Sequence, residues 1–117
     1  MTLSEVKDIL HATVLTGEDA LQNDIDGAFA SDLMSDVLAF VTDNAMLITG
    51  LINPHVMRTA EMLDIPCIVF TRSKQPSEEM LEMAGDIGIT VLSTPMTSYH
   101  ASGELYAKGL APTNVKT

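Results

Sequence analysis

Side chains that could bind a ligand are concentrated in three short segments, each of which follows an apolar run. The segments are Thr49-Gly-Leu-Ile-Asn-Pro-His55, Thr71-Arg-Ser-Lys-Gln75 and Ser93-Thr-Pro-Met-Thr-Ser-Tyr-His100. They contain Arg72, Lys74 and two of the three histidines, but no aspartate or glutamate. In a chain with a formal net charge of -10, this composition predicts a local site that attracts anions.

Hydroxyl groups, backbone N–H groups at helix N-termini and basic side chains are the groups that bind phosphate or carboxylate ligands. Arg72 directly follows an apolar run and is expected to point into the site, whereas Lys74 lies farther along the loop. The alternative is that the hydroxyl and amide side chains only cap helices and that both basic side chains are solvated. The predicted ligand-binding residues are Thr49, Gly50, Asn53, His55, Thr71, Arg72, Lys74, Ser93, Thr94, Ser98 and His100.

Catalytic motifs are missing from the sequence. There is no G-x-x-x-x-G-K-[ST] loop for a nucleoside triphosphate, no G-x-G-x-x-G motif and no G-x-S-x-G nucleophile elbow. His55 or His100 could act as a base for Ser98 or together with Asp36, but the spacing does not fix that geometry. The two histidines would also need a carboxylate from another segment to hold a metal ion. We therefore predict no catalytic residue and no metal site, with a small hydrolase or metal enzyme as the least favoured alternative.

Charge and hydropathy exclude several partners. The six basic residues form no run, so we expect no binding to nucleic acid or to an anionic membrane surface. No apolar run approaches the roughly 20 residues that span a bilayer, and the N-terminus does not resemble a secretory signal. The single cysteine, Cys67, lies in an apolar stretch and is predicted to pack in the core. We expect a cytoplasmic protein.

Apolar strands and amphipathic helices alternate along the chain. Strands are predicted at 12–16, 25–30, 46–49, 67–70 and 89–92, and helices at 3–11, 31–42, 54–63, 76–87 and 97–108. This alternation is typical of a single three-layer α/β/α domain with a mainly parallel sheet of about five strands. The carboxyl ends of parallel strands meet at one edge, which is where the three polar segments would lie together. The predicted domain covers residues 1–110, and residues 111–117 are predicted to be a frayed C-terminal tail.

Two details of the helices can be tested directly. Ser31 is predicted to cap the second helix, with Leu33, Met34, Val37 and Leu38 on its buried side. The methionines fall mostly at core-facing positions, but the helix faces that carry Met62 or Met83 could close an interface between copies. We therefore expect a homodimer.

The sequence resembles the DRTGG domain family over nearly the whole chain. The resemblance is carried by Val14-Leu-Thr-Gly17, Ala30-Ser-Asp-Leu-Met-Ser-Asp-Val37, Leu47-Ile-Thr49, Leu92-Ser-Thr-Pro95 and Gly103-Glu-Leu-Tyr106. The most specific parts are Ser31-Asp32 with Ser35-Asp36-Val37, and Ser93-Thr94-Pro95. The literal Asp-Arg-Thr-Gly-Gly string is missing, and the nearest match, Asp24-Ile-Asp-Gly-Ala28, has no arginine.

The resemblance implies a fold like the N-terminal domain of HPr kinase/phosphorylase, without its kinase domain. It also implies a role like that of DRTGG domains beside cystathionine-β-synthase-type domains in regulated pyrophosphatases and within some phosphotransacetylases, which is regulation or assembly. Combined with the polar segments, this predicts a regulatory domain that binds an anionic metabolite, such as a nucleotide, and acts on a partner enzyme. The alternative is a dimerisation or docking module without a small-molecule ligand. No cofactor is indicated, and the role of Ser31-Asp32-Ser35-Asp36 is left open.

Overall fold

Five strands and five α-helices alternate along residues 1–42 and 44–113, which are the residues that the computed structural model describes. The helices are α1 (Leu3–Leu10), α2 (Met34–Phe40), α3 (Pro54–Met62), α4 (Glu78–Ile87) and α5 (Ser98–Ala107). The strands are β1 (Thr13–Thr16), β2 (Gly27–Ala30), β3 (Ala45–Thr49), β4 (Cys67–Phe70) and β5 (Thr90–Ser93). A short 3-10 helix, Glu18–Ala20, follows β1. The predicted order of elements is confirmed.

The strands form one mixed sheet in the order β1-β5-β4-β3-β2. Strands β2 to β5 are parallel, and β1 pairs antiparallel with β5. In the parallel part Ile48 lies opposite Val69, and Val69 lies opposite Leu92. The prediction of a mainly parallel sheet of about five strands is therefore confirmed.

Both faces of the sheet are covered by helices. On one face, α2, α3 and α4 pack through residues such as Val37, Met57 and Met80 against the side chains of Leu47 and Phe70. On the other face, α1 and α5 pack against Met46, Ile48, Cys67, Val69 and Leu92. Strands buried on both faces read as continuous apolar runs, which is why they could be predicted from the sequence. The three-layer α/β/α architecture is confirmed.

None of the helices in the described parts of the chain is long and apolar enough to cross a membrane.

Side-chain caps fix where several helices begin. Thr2 and Glu5 form a reciprocal capping box at α1, and hydrogen bonds from the Thr2 backbone and side chain lower the pKa of the exposed Glu5 carboxyl. Asn53 caps α3 immediately before Pro54, and Ser77 caps α4. Gly88 ends α4 at a φ of 92°, a left-handed conformation that glycine adopts without a steric penalty. Each of these caps could be predicted from residue type and spacing.

The beginning of α2 differs from the prediction. Ser31 does not cap this helix: its Oγ accepts a hydrogen bond from the Leu33 N–H, 3.1 Å away, and so stabilises a turn before the helix. Helix α2 then begins at Met34, three residues after the predicted cap. Met34 and Val37 are buried as predicted, but Leu33 is 58% exposed and Leu38 is 36% exposed. The apolar stripe is therefore narrower than predicted, and the loop between β2 and α2 is longer.

The segment after α5 also differs from the prediction. Ala111 and Thr113 exchange backbone hydrogen bonds with Ala28, and Pro112 forms a parallel bridge with Ala28 at the free edge of β2. The Thr113 hydroxyl lies 2.7 Å from that of Thr42. The prediction of a frayed tail is wrong for Ala111–Thr113, because these residues extend the sheet. Residues 114–117, the rest of the predicted tail, lie outside the described residues.

The burial of Cys67 predicts how the free energy of unfolding changes at alkaline pH. The thiol is completely buried, and desolvation raises its pKa. Below the unfolded-state pKa of about 8.5, both states keep the thiol proton, and no pH dependence arises from this group. Above it, only the unfolded state ionises, so the free energy of unfolding should fall by about 1.4 kcal/mol per pH unit. Urea unfolding of wild type and Cys67→Ala between pH 7.5 and 10 tests this. The variant should lose stability less steeply, and parallel curves would contradict the assignment.

Candidate functional site

The three polar segments lie at the carboxyl edge of the sheet, as predicted, where backbone pairing continues beyond the strands. Thr49, Thr71 and Thr94 are all fully buried. The Thr71 N–H donates to the Thr49 carbonyl, and the Thr94 N–H donates to the Phe70 carbonyl. The ends of β3, β4 and β5 are therefore tied together, and the loops that follow begin from a rigid base.

Two basic side chains converge on Gly50, the residue that follows β3. The Lys74 Nζ donates to the Gly50 carbonyl at 2.8 Å. The Arg72 guanidinium also lies against Gly50: a methyl group placed on Gly50 would lie 2.9 Å from the Arg72 Nη2 and 3.2 Å from the Thr71 Oγ1. Glycine is thus the residue that lets these side chains approach the β3 backbone closely. The sequence correctly predicted that both basic residues lie at this edge, but not their relative positions: Lys74 is partly buried and bonded to Gly50, whereas Arg72 is exposed.

A carboxylate also enters this edge of the sheet, from the loop after β2. The Asp32 Oδ1 accepts hydrogen bonds from the Thr49 Oγ1 at 2.9 Å and from the Gly50 N–H at 2.8 Å. We refer to Asp32, Thr49, Gly50, Arg72 and Lys74 as the strand-end cluster. The expectation of a carboxylate-free edge is therefore wrong, although two positive charges still face one negative charge.

Asp32 was not among the predicted site residues, because that prediction rested on the loops after β3, β4 and β5 alone. Asp32 follows β2 by two residues, and β2 is parallel to β3, so the same strand-end rule places its loop at this edge. The structure also gives a role to the first half of the Ser31-Asp32-Ser35-Asp36 segment: Ser31 shapes the turn and Asp32 anchors it to Gly50.

The backbone that carries Arg72 is held in an unusual conformation. Arg72 and Ser73 have φ values of 57° and 55°, in the left-handed region that residues other than glycine rarely occupy. The Arg72 N–H donates to the Met96 carbonyl and the Ser73 N–H donates to the Thr94 carbonyl, both at 2.8 Å. The loop after β5 therefore fixes the direction in which the exposed Arg72 side chain leaves the sheet.

Other predicted site residues have contacts that maintain the fold. The Asn53 Oδ1 accepts from the His55 N–H at 2.8 Å, and the Ser93 Oγ donates to the Lys74 carbonyl at 3.1 Å. The Ser98 Oγ lies 3.4 Å from the Thr71 Oγ1, so the first turn of α5 contacts the end of β4. Their role in ligand binding stays a prediction.

The two histidines predicted at the site, His55 and His100, make no described hydrogen bond or ion pair with the strand-end cluster. His55 is exposed in the first turn of α3. The His100 Nε2 lies 3.4 Å from the Glu104 Oε1 one turn later on α5. Within residues 1–42 and 44–113, no group of three His, Cys, Asp or Glu side chains could hold a metal ion.

Thr94 gives a prediction about the rigidity of this edge. Its hydroxyl donates to the Leu10 carbonyl at 2.7 Å and accepts from the Met96 N–H at 3.2 Å, which links the end of α1 to the loop after β5. Thr94→Val leaves both backbone groups without this partner and should lower the free energy of unfolding by about 1–3 kcal/mol. Thr94→Ser keeps the hydroxyl and should lose less. Urea unfolding measures both, and equal losses would show that the hydrogen bonds contribute little.

Asp32 gives a second prediction at the same edge. Asp32→Ala removes the acceptor of the Gly50 N–H and of the fully buried Thr49 hydroxyl, which should cost about 1–3 kcal/mol of stability. Asp32→Asn retains an acceptor oxygen and should cost less, while the exposed Asp26→Ala serves as the control. Thermal and urea unfolding measure the three variants. A loss in Asp32→Ala no larger than in Asp26→Ala would contradict the anchoring role.

Comparison with known proteins agrees with this architecture. Among solved structures, the CBS and DRTGG domains of the regulatory region of Clostridium perfringens pyrophosphatase, complexed with the activator diadenosine tetraphosphate, superpose with a TM-score of 0.72 at 21% sequence identity. The match covers 89% of this chain and 45% of that one, so this chain spans about half the length of the pyrophosphatase region. No curated protein sequence matches. The model of the DRTGG domain matches residues 5–107, and the chain therefore belongs to the DRTGG domain family.

Proposed function

We propose that this domain is a regulatory module that binds an anionic metabolite, in particular a nucleotide, at the strand-end cluster. The observation that carries the proposal is the convergence of Arg72 and Lys74 on Gly50, at the carboxyl edge of a parallel sheet. Ligands of open α/β sheets bind at that edge. In this proposal, occupancy of the site is transmitted to a partner enzyme, as is typical of a regulatory module.

Electrostatics support an anion rather than a cation. The chain has a net charge of -10, with 16 carboxylates against six basic residues. An anionic ligand is therefore repelled from most of the surface and attracted only where basic groups cluster. The Arg72 side chain is exposed, and its guanidinium would form a bidentate pair with a phosphate. The predicted binding roles of Asn53, His55, Thr71, Ser93, Thr94, Ser98 and His100 remain proposals. Because Thr71 and Thr94 are fully buried, they would support the edge of the site from below.

The family supports a regulatory role. The pyrophosphatase fragment that shares this fold is a regulatory region, and it was solved with a nucleotide activator. By analogy, we assign no catalytic residue to this chain and place it in the cytoplasm beside the enzyme that it regulates. We expect the partner to be an enzyme whose activity follows the nucleotide concentration.

A thermal-shift screen tests the proposal. The panel contains ATP, ADP, diadenosine tetraphosphate and phosphorylated sugars at 1 mM. A ligand with a micromolar dissociation constant stabilises the folded state by about 4 kcal/mol at a thousandfold excess over that constant. We expect at least one nucleotide to raise the melting temperature by several degrees. The absence of a shift with every compound would overturn the proposal.

Exposed apolar side chains favour a second candidate function, dimerisation or docking. Leu33 and Phe40 on or beside α2 are 58% and 38% exposed, and Met62 at the end of α3 is 73% exposed. Met83, the other residue expected at an interface, is half-buried. Sedimentation equilibrium at micromolar protein tests whether copies associate. A dimer that Leu33→Glu or Met62→Glu dissociates would support this candidate, and a monomer at all concentrations would oppose it.

A further inference from the structure

A small apolar groove lies between α5, the edge of the sheet at β2 and the segment that follows α5. Its volume is about 160 Å³. The lining residues include Ala30, Ile48, Ser102, Leu105, Tyr106 and Pro112. The groove forms because the side chains of Ala28 and Ala30 on β2 are too small to fill the space beside α5.

One end of the groove lies near the strand-end cluster, and the other end extends to Tyr106 and Pro112. Ile48, near the end of β3, precedes Gly50 by two residues, and Ala30, the last residue of β2, precedes Asp32 by two residues. On α5, Ser102 lies one turn after Ser98, whose hydroxyl contacts Thr71. The near end of the groove and the strand-end cluster are therefore separated by about two residues along the chain, a distance that one nucleotide could span.

We propose that this groove binds the aromatic base of a nucleotide whose phosphate groups lie at the strand-end cluster. The inference rests on the proposed function and adds a second subsite to it. An enclosed apolar cavity of about 150 Å³ accommodates a benzene-sized ring, so this open groove can take up part of a base but not a whole nucleotide. Tyr106, 71% exposed at the border of the groove, offers an aromatic face for stacking. The Ser102 hydroxyl supplies a hydrogen-bonding group within an otherwise mainly apolar lining.

Two variants separate the groove from the anion site. Ser102→Leu fills the groove from α5, and Tyr106→Ala removes the stacking face. Tyr99→Ala is the matched control, because Tyr99 lies on the same helix, is 91% exposed and does not line the groove. Both tyrosines are too exposed for their removal to unfold the domain, so Tyr106→Ala remains informative even if Ser102→Leu does not fold.

Isothermal titration of each protein with ATP and with sodium tripolyphosphate tests the inference. We expect the wild type and Tyr99→Ala to bind ATP at least about tenfold more tightly than tripolyphosphate. Ser102→Leu and Tyr106→Ala should lose most of that difference while their affinity for tripolyphosphate is unchanged. If wild type binds tripolyphosphate but gains nothing from the base, or if both variants keep the full difference, the groove is not a base site. If neither compound binds the wild type, the proposed function fails together with the inference.

Discussion

Gly17→Ala is expected to lower the free energy of unfolding by about 3 kcal/mol or more, the largest stability effect that we predict for a single substitution. Gly17 has a φ of 85°, where a residue with a Cβ is strained by about 1–2 kcal/mol. The new Cβ would also lie 2.6 Å from the Thr90 Oγ1 and 2.7 Å from the Thr90 Cα. Since Thr90 is the first residue of β5, the clash can be relieved only by moving the sheet or the loop, and such overpacking costs about 1–3 kcal/mol.

Two other glycines separate the clash from the conformational strain. Gly88 has a φ of 92° but nothing within 4 Å of the position of its Cβ, so Gly88→Ala should cost only about 1–2 kcal/mol. Gly103 lies within α5 with open space beside it, and Gly103→Ala should stabilise the domain by about 0.5–1 kcal/mol. Urea unfolding of all three variants measures the series. A Gly17→Ala loss no greater than that of Gly88→Ala would show that the loop after β1 does not pack on Thr90 as described.

Substitution of Arg72 is expected to have the largest effect on binding. Arg72→Ala removes a charge-assisted contact worth about 1.5–3 kcal/mol, which corresponds to roughly a 10- to 150-fold loss of affinity for ATP. Arg72→Lys should also weaken binding although it keeps the charge, because lysine cannot form the bidentate pair. The folded state should change little in stability, since the side chain is exposed. Calorimetric titration with ATP measures the affinities, and thermal melting without ATP measures stability.

Arg58→Ala on the exposed surface of α3 is the matched control, because it removes the same charge from a position outside the strand-end cluster. An equal loss of affinity in Arg58→Ala and Arg72→Ala would mean that only the net charge matters. Unchanged affinity in Arg72→Ala would remove this residue from the site. A large fall in melting temperature without ATP would instead identify Arg72 as a residue that stabilises the fold.

The helix boundaries that could be predicted from the sequence are those fixed by interactions between residues close together in the chain. Asn53-Pro54, Ser77 and Gly88 mark helix boundaries because capping depends on residues a few positions apart. The beginning of α2 could not be predicted in the same way. Ser31 has the chemistry of a cap, but its hydroxyl stabilises a turn, and the Asp32 side chain is held by Gly50, which is distant in sequence.

Long-range pairing explains the remaining differences. Ala111–Thr113 have no strand-like apolar pattern, and they pair with Ala28 because the edge of β2 presents free backbone groups. Only part of the strand-end cluster was predicted, because its residues also come together through long-range contacts. Because β3 and β4 are neighbouring parallel strands, their carboxyl ends bring Arg72 and Lys74 close to Gly50, and this could be predicted. Asp32 joins them because β2 is the next parallel strand and its loop meets the same edge.

The central claim, that an anionic nucleotide binds at the strand-end cluster, is tested most directly by mapping ATP on the protein. Two-dimensional ¹⁵N–¹H spectra of the labelled domain would be recorded during a titration with ATP. We predict saturable shifts that are largest for the backbone amides of Gly50, Leu51, Arg72 and Ser73. The signals of amides in the C-terminal half of α4, which lies away from the carboxyl edge of the sheet, should shift little. The absence of saturable shifts, or shifts confined to residues away from the carboxyl edge of the sheet, would contradict the account.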